Sequence, residues 1–151
     1  MSIEEVRKLN QQGLGAWDAH KPDDFVATFA DKFTFNDITL PKPITTKAAL
    51  RQYVQGWFTA FPDMKISRTN VVVSTDAAAA EVEWDATHKG PIQGPPGTPA
   101  IPPTGKKVRG RGAYFAKVKN GKVTEFSAHP DVMGIMAQLG LMGQPTAAAK
   151  K

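Results

Sequence analysis

Lys107-Val108-Arg109-Gly110-Arg111-Gly112-Ala113-Tyr114-Phe115-Ala116-Lys117-Val118-Lys119-Asn120-Gly121-Lys122-Val123-Thr124-Glu125-Phe126-Ser127-Ala128-His129 is the stretch on which the fold turns. Residues 107–117 and 122–129 alternate β-branched or aromatic side chains with polar ones, the period of a half-buried strand. Asn120-Gly121 between them tolerates positive φ at both positions and marks a hairpin. Upstream, residues 65–74 and 78–88 carry the same alternation. Phe33-Thr34-Phe35-Asn36-Asp37 is a shorter strand, broken by Pro41 and Pro43.

Helices flank this sheet. Ser2-Ile3-Glu4-Glu5 is a capping box, followed by Val6, Leu9, Leu14 and Trp17 on one helical stripe that Gly13 and Gly15 weaken. Lys21-Pro22-Asp23-Asp24 puts Pro and then acids where a helix start favours them, so Phe25 to Phe29 is expected as a second helix. From Thr46, Leu50, Val54, Trp57, Phe58 and Phe61 recur at spacings of three and four until Pro62. Asp131 is placed to cap a last helix through Val132, Ile135, Met136 and Leu139, which Gly140 ends. The order predicts an α+β fold with helices on one face of a curved, mostly antiparallel sheet. It occupies one domain over residues 1–143, with 144–151 as a frayed tail. Residues 90–105 hold six Pro and four Gly and read as a long loop, a lid or an arm.

Composition narrows the function. The chain has 151 residues, 41% apolar and 22% charged, the balance of one globular domain. Its net charge of +5 is not gathered on one element. The densest group, Lys106, Lys107, Arg109 and Arg111, is the solvent side of a strand, so no nucleic acid is expected as partner. With no cysteine, disulfides, thiol nucleophiles and thiolate metal sites are excluded. No apolar run of about 18 residues and no leader-like stretch occurs, so no membrane partner and a cytoplasmic location are expected. The three histidines lack metal-ligand spacing, and neither a phosphate-binding loop nor a Gly-x-Ser-x-Gly elbow is present.

Trp84, Thr87-His88-Lys89-Gly90, Pro102-Pro103-Thr104-Gly105-Lys106, Asn120-Gly121-Lys122-Val123 and Gln138-Leu139-Gly140, as an ordered set, resemble the SnoaL-like polyketide cyclase and ester cyclase family. The resemblance implies the cone-shaped, cystatin-like α+β barrel shared with ketosteroid isomerase, scytalone dehydratase and nuclear transport factors. It also implies a homodimer, and a pocket at the wide mouth that takes a small hydrophobic molecule. Family cyclases close a ring by an intramolecular aldol step, using an Asp as general acid and base with no metal or organic cofactor. Counting back three residues from Asp131, that position falls on Ala128, and the partner position on the preceding strand falls on Tyr114.

With Ala128 unable to move protons, other groups become candidates. Trp84, Ala86 and His88 share one strand face, so His88 can enter the pocket; equally, it can be a strand-end histidine satisfied by a loop carbonyl near Gly90. Asp37 follows Phe33 and Phe35 on one face, and burial there would raise its pKa. Asp18, beside Trp17, is a second such carboxylate. His129 with Asp131 could form an imidazole held by a carboxylate, but alternation turns His129 away from the face of Ala128, and Asp131 is explained as a cap. Glu81, Glu83 and Asp85 belong to the solvated face. Pocket walls are expected from Trp17, Phe35, Trp57, Phe61, Trp84 and Ala128, with Asn36 as a directed polar group beside Tyr114 and His88. Two functions follow. One is proton transfer on a carbonyl compound, with His88 or Asp37 carrying the proton and Tyr114 holding the oxygen; the other is a non-catalytic ligand-binding or dimerisation module. A protein-interaction dimer with a filled cone is a third.

Overall fold

A computed structural model describes residues 1–94 and 97–142. The expected tail at 144–151 and Pro95 and Pro96 of the long loop lie outside the described residues. The elements run α1 (Ile3–Asp18), α2 (Pro22–Val26), β1 (Phe29–Asp37), α3 (Lys47–Ala60), β2 (Lys65–Val73), β3 (Ala77–Thr87), β4 (Lys107–Lys119), β5 (Lys122–Pro130) and α4 (Val132–Gln138).

The five strands form one sheet in the order β1-β5-β4-β3-β2. Neighbours from β2 to β5 are antiparallel, while β1 joins β5 in parallel. The edge strands β1 and β2 do not pair with each other, so the sheet is open and mixed, not a closed barrel.

Local chemistry accounts for most boundaries. Ser2 and Glu5 cap α1 reciprocally, and the helix runs through Gly13 and Gly15 to Asp18. The Thr46 side chain caps α3, and Asp131 caps α4 by accepting from the Gly134 amide at 3.0 Å. One boundary departs from expectation. The second helix stops at Val26, because Thr28 turns its amide and hydroxyl back onto the Phe25 carbonyl while its own carbonyl accepts from Val123. Phe29 is therefore already the first residue of β1, in register with Val123, and a register shift separates it from Thr34.

Alternation gives the sheet one wet and one dry face. On β4, Val108, Gly110, Ala116 and Val118 are buried while Lys107, Arg109, Arg111 and Lys117 are exposed. Inward residues alternate large with small across strands: Trp84 stands opposite Gly110, and Tyr114 stands between Ala80 and Ala128. Helices α1 and α3 close the dry face with Val6, Leu50 and Val54, all fully buried. The excursion at 89–105 is clasped at its base. His88 and Lys106 still pair through their backbones, Gly105 returns an amide to His88, and Lys89 and Gly90 both donate to the Ala60 carbonyl at the end of α3.

Candidate functional site

Between the helices and the inner sheet face lies a cavity of about 150 Å³. The α1 stripe lines it with Asn10, Gly13, Leu14 and Trp17, and α3 adds Tyr53 and Trp57. The sheet contributes Phe35, Val82, Trp84, Gly112, Tyr114 and Phe126. Three of these rings form a continuous stack across β1, β5 and β4: Phe35 lies 5.0 Å from Phe126 at 6°, and Phe126 lies 5.0 Å from Tyr114 at 14°. Trp57 and Trp84 meet edge to face at 6.0 Å.

Two phenols bring polarity to these walls. Tyr114 donates its hydroxyl to Asn10 Oδ1. Burial pushes its pKa up to about 12, with the Asn10 bond opposing. Tyr53 donates to Asp37 Oδ2, and burial together with the neighbouring Asp37 charge holds it well above the ordinary phenol range. Both phenols are therefore protonated at neutral pH. The lining contains no Asp, Glu or His among the described residues, and its one charged residue, Arg111, is exposed.

The expected site residues divide accordingly. Trp17, Phe35, Trp57, Trp84 and Tyr114 come together around the cavity. Phe61 is buried behind them, 5.2 Å from Trp84, and is not on the lining. Asn36 is exposed, since alternation that turns Phe35 and Asp37 inward turns Asn36 out. Ala128 is half-buried against the core, packed beside its partner Tyr114. Asp37 is buried but off the lining, with Oδ1 taking the Thr39 amide at 2.8 Å and hydroxyl at 2.6 Å.

His88 is completely buried and also off the lining. Its Nδ1 accepts from the Thr104 amide at 3.1 Å and lies 3.0 Å from the Thr104 hydroxyl, which places the ring proton on Nε2. Nε2 has no hydrogen-bond partner at bonding geometry. Burial lowers the His88 pKa, with the Gly90 backbone opposing.

The remaining candidates have structural partners. Asp18 accepts from the Ile66 amide at 2.8 Å and from Lys65 at 3.0 Å, tying α1 to β2. Burial pushes its pKa up, but these two donors outweigh that and leave it lowered. His129 is exposed beside Ser127, and Asp131 is occupied as the α4 cap. Glu83 and Asp85 pair with Arg68 and Arg109 on the wet face.

Asn10, Gly13 and Tyr53 belong to the site and were not singled out from sequence. Asn10 and Gly13 lie on the same helical stripe as Val6, Leu9 and Trp17. Tyr53 is three residues from Leu50 and four from Trp57, which gives it the inward side of α3.

A family model for SnoaL-like polyketide cyclases matches residues 7–139, which take in most of α1, the other helices and the whole sheet. The chain belongs to the SnoaL-like polyketide cyclase family. Among solved structures, AclR from Streptomyces galilaeus is similar at 20% identity, over 92% of this chain and 83% of that one, with a TM-score of 0.78. TsrD from Streptomyces laurentii is similar at 19% identity, over 94% and 99%, with a TM-score of 0.78. IdmH from Streptomyces antibioticus is similar at 19% identity, over 89% and 97%, with a TM-score of 0.70. At these identities the likeness carries the fold and no more. No curated protein matches the chain in sequence. No helix among the described residues is long and apolar enough to cross a membrane.

Proposed function

We infer that this SnoaL-like protein binds a small, neutral, hydrophobic compound bearing a carbonyl or hydroxyl group. The observation that carries this reading is an apolar, aromatic-walled cavity whose interior polar pair, Tyr114 and Asn10, is uncharged. An ammonium ligand would enter without a counter-ion, and a carboxylate would find only the exposed Arg111, at a cost of several kcal/mol for a charge held at the buried pair. A carbonyl suits the pair. The Asn10 amide keeps donors beyond its bond to Tyr114, and reversing that bond would free the phenol proton for the ligand oxygen. Acetophenone is expected to bind and to raise the melting temperature, and benzoate, of similar size but charged, to do neither. Tyr114→Phe is expected to weaken acetophenone about tenfold by calorimetry, the worth of one buried hydrogen bond. Unchanged affinity in that variant would remove the pair from the recognition step.

A second reading, proton transfer at the same cavity, is favoured by one observation. Asp37 is the register partner of Ala128, so a carboxylate stands one strand away from the family's acid position, bonded to Tyr53 on the cavity wall. In this reading the α-carbon of the bound ketone gives a proton to the Tyr53 oxygen as the Tyr53 proton passes to Asp37, and the reverse movement reprotonates the enolate. Deuterium exchange into the methyl group of acetophenone, followed by NMR, is expected to be accelerated by the protein and abolished by Asp37→Asn. Exchange no faster than in buffer would sink this reading and leave the binding one. We also propose a homodimer through the wet sheet face, where Val72 and Phe115 lie in one cross-strand row and are exposed.

A further inference from the structure

The α1 stripe has a gap. Val6, Leu9, Leu14 and Trp17 present apolar side chains to the cavity, but Gly13 presents none. A Cβ built at Gly13 would meet nothing within 4 Å, so the space beside it is open. Gly15 is equally open, but it is exposed and off the lining, so only Gly13 leaves a notch in the cavity wall. A glycine inside a helix of 16 residues weakens that helix, which makes the notch costly unless the room is used. Asn10 is three residues back and hence adjacent on the helix surface, so the open space abuts the amide that meets Tyr114.

The volume sets what can occupy that space. A dry cavity of about 150 Å³ is the size that accommodates a benzene molecule in another protein. The stacked Phe35, Phe126 and Tyr114 rings provide an aromatic wall suited to a planar ring. We propose that Gly13 is the size-setting position of this cavity, which admits a single planar neutral ring with its carbonyl or hydroxyl at the Asn10–Tyr114 pair and turns away fused ring systems.

This inference rests on the binding reading above, and its test separates the two. Acetophenone, with one ring, and 9-fluorenone, with three, are titrated calorimetrically into the wild type, Gly13→Ala and Gly13→Leu, with thermal melts of each protein. Acetophenone is expected to bind the wild type at least about tenfold more tightly than fluorenone. Gly13→Leu is expected to melt no lower than wild type and to lose acetophenone about tenfold or more, with Gly13→Ala between the two; should the Leu variant fail to fold, the Ala variant decides. Fluorenone bound as tightly as acetophenone, or acetophenone bound unchanged when Gly13 is filled, overturns the size filter while leaving the cavity a binding site. A wild type that binds neither compound overturns the binding reading and the filter together.

Discussion

Gly110→Ala is expected to cost about 3 kcal/mol of folding stability, far above an ordinary Gly to Ala change in a strand. Gly110 and Trp84 are register partners on β4 and β3, and the indole lies over the glycine. A Cβ at Gly110 would fall 2.1 Å from Trp84 Cε2 and Cζ2, well inside any tolerable contact. The indole cannot swing aside freely. Trp57 meets it at 6.0 Å and Phe61 at 5.2 Å, so two rings already pack against it. Either the ring leaves its seat or β4 draws away from β3, and both outcomes disturb the cavity wall. A double-mutant cycle in urea identifies the cause. Trp84→Leu alone loses packing, but in its background Gly110→Ala should cost about 1–2 kcal/mol less than in wild type, because the clashing atoms are gone. Strictly additive losses would show that Gly110 is required for some other reason.

The same large-and-small logic separates what could be read from sequence from what could not. The hairpin at Asn120-Gly121, the caps of α1 and α4 and the stripe of α3 depend on neighbours a few residues away, and they stand as read. Residues 27–29 leave the expected second helix because the start of β1 is decided by Thr28 and Phe29 meeting Val123, almost a hundred residues distant. The parallel pairing of β1 with β5 is likewise a tertiary choice that alternation does not encode. An inward Asn36 runs against the alternation of its own strand: if Phe35 and Asp37 face in, Asn36 faces out. The burial of Asp37 was legible, but its bond to Tyr53 was not, because it joins a strand end to a helix across an intervening loop. The notch in the cavity wall follows from where Gly13 leaves out a side chain, and a sequence shows a missing side chain only once its face is known.

His88 carries the other large effect. His88→Ala is expected to cost about 3 kcal/mol near neutral pH, since it opens a void behind Phe61 and Trp84 and leaves the Thr104 amide without its acceptor. The pH dependence tests the geometry more sharply. Protonation would put a second N–H on the imidazole, at Nδ1, facing the N–H of Thr104, donor against donor, in a site closed to water. Burial, which strips the charged ring of water, holds the folded-state His88 pKa below its ordinary value of 6.5, with the Gly90 backbone opposing. The unfolded chain then binds this proton more readily than the folded one, so the contribution of His88 is fully present above 6.5 and is lost as the pH falls from there through the lowered value. Carboxylates with lowered pKa, Glu5, Asp18 and Asp63, act in a separate window: theirs is lost only as the pH falls below 4.5, the ordinary value of Glu5 and the upper edge of that window, and for the two Asp below 3.8. Urea titrations from neutral pH down to 4.5 should therefore show wild-type stability declining while His88→Ala stays level. Parallel profiles for the two proteins would mean that the imidazole is protonated in place and that Thr104 does not hold Nδ1 as an acceptor. The expected divergence would make His88 the clasp of the loop that leaves β3 at Lys89 and returns at Lys106, and would account for a buried histidine outside the cavity without assigning it any part in chemistry.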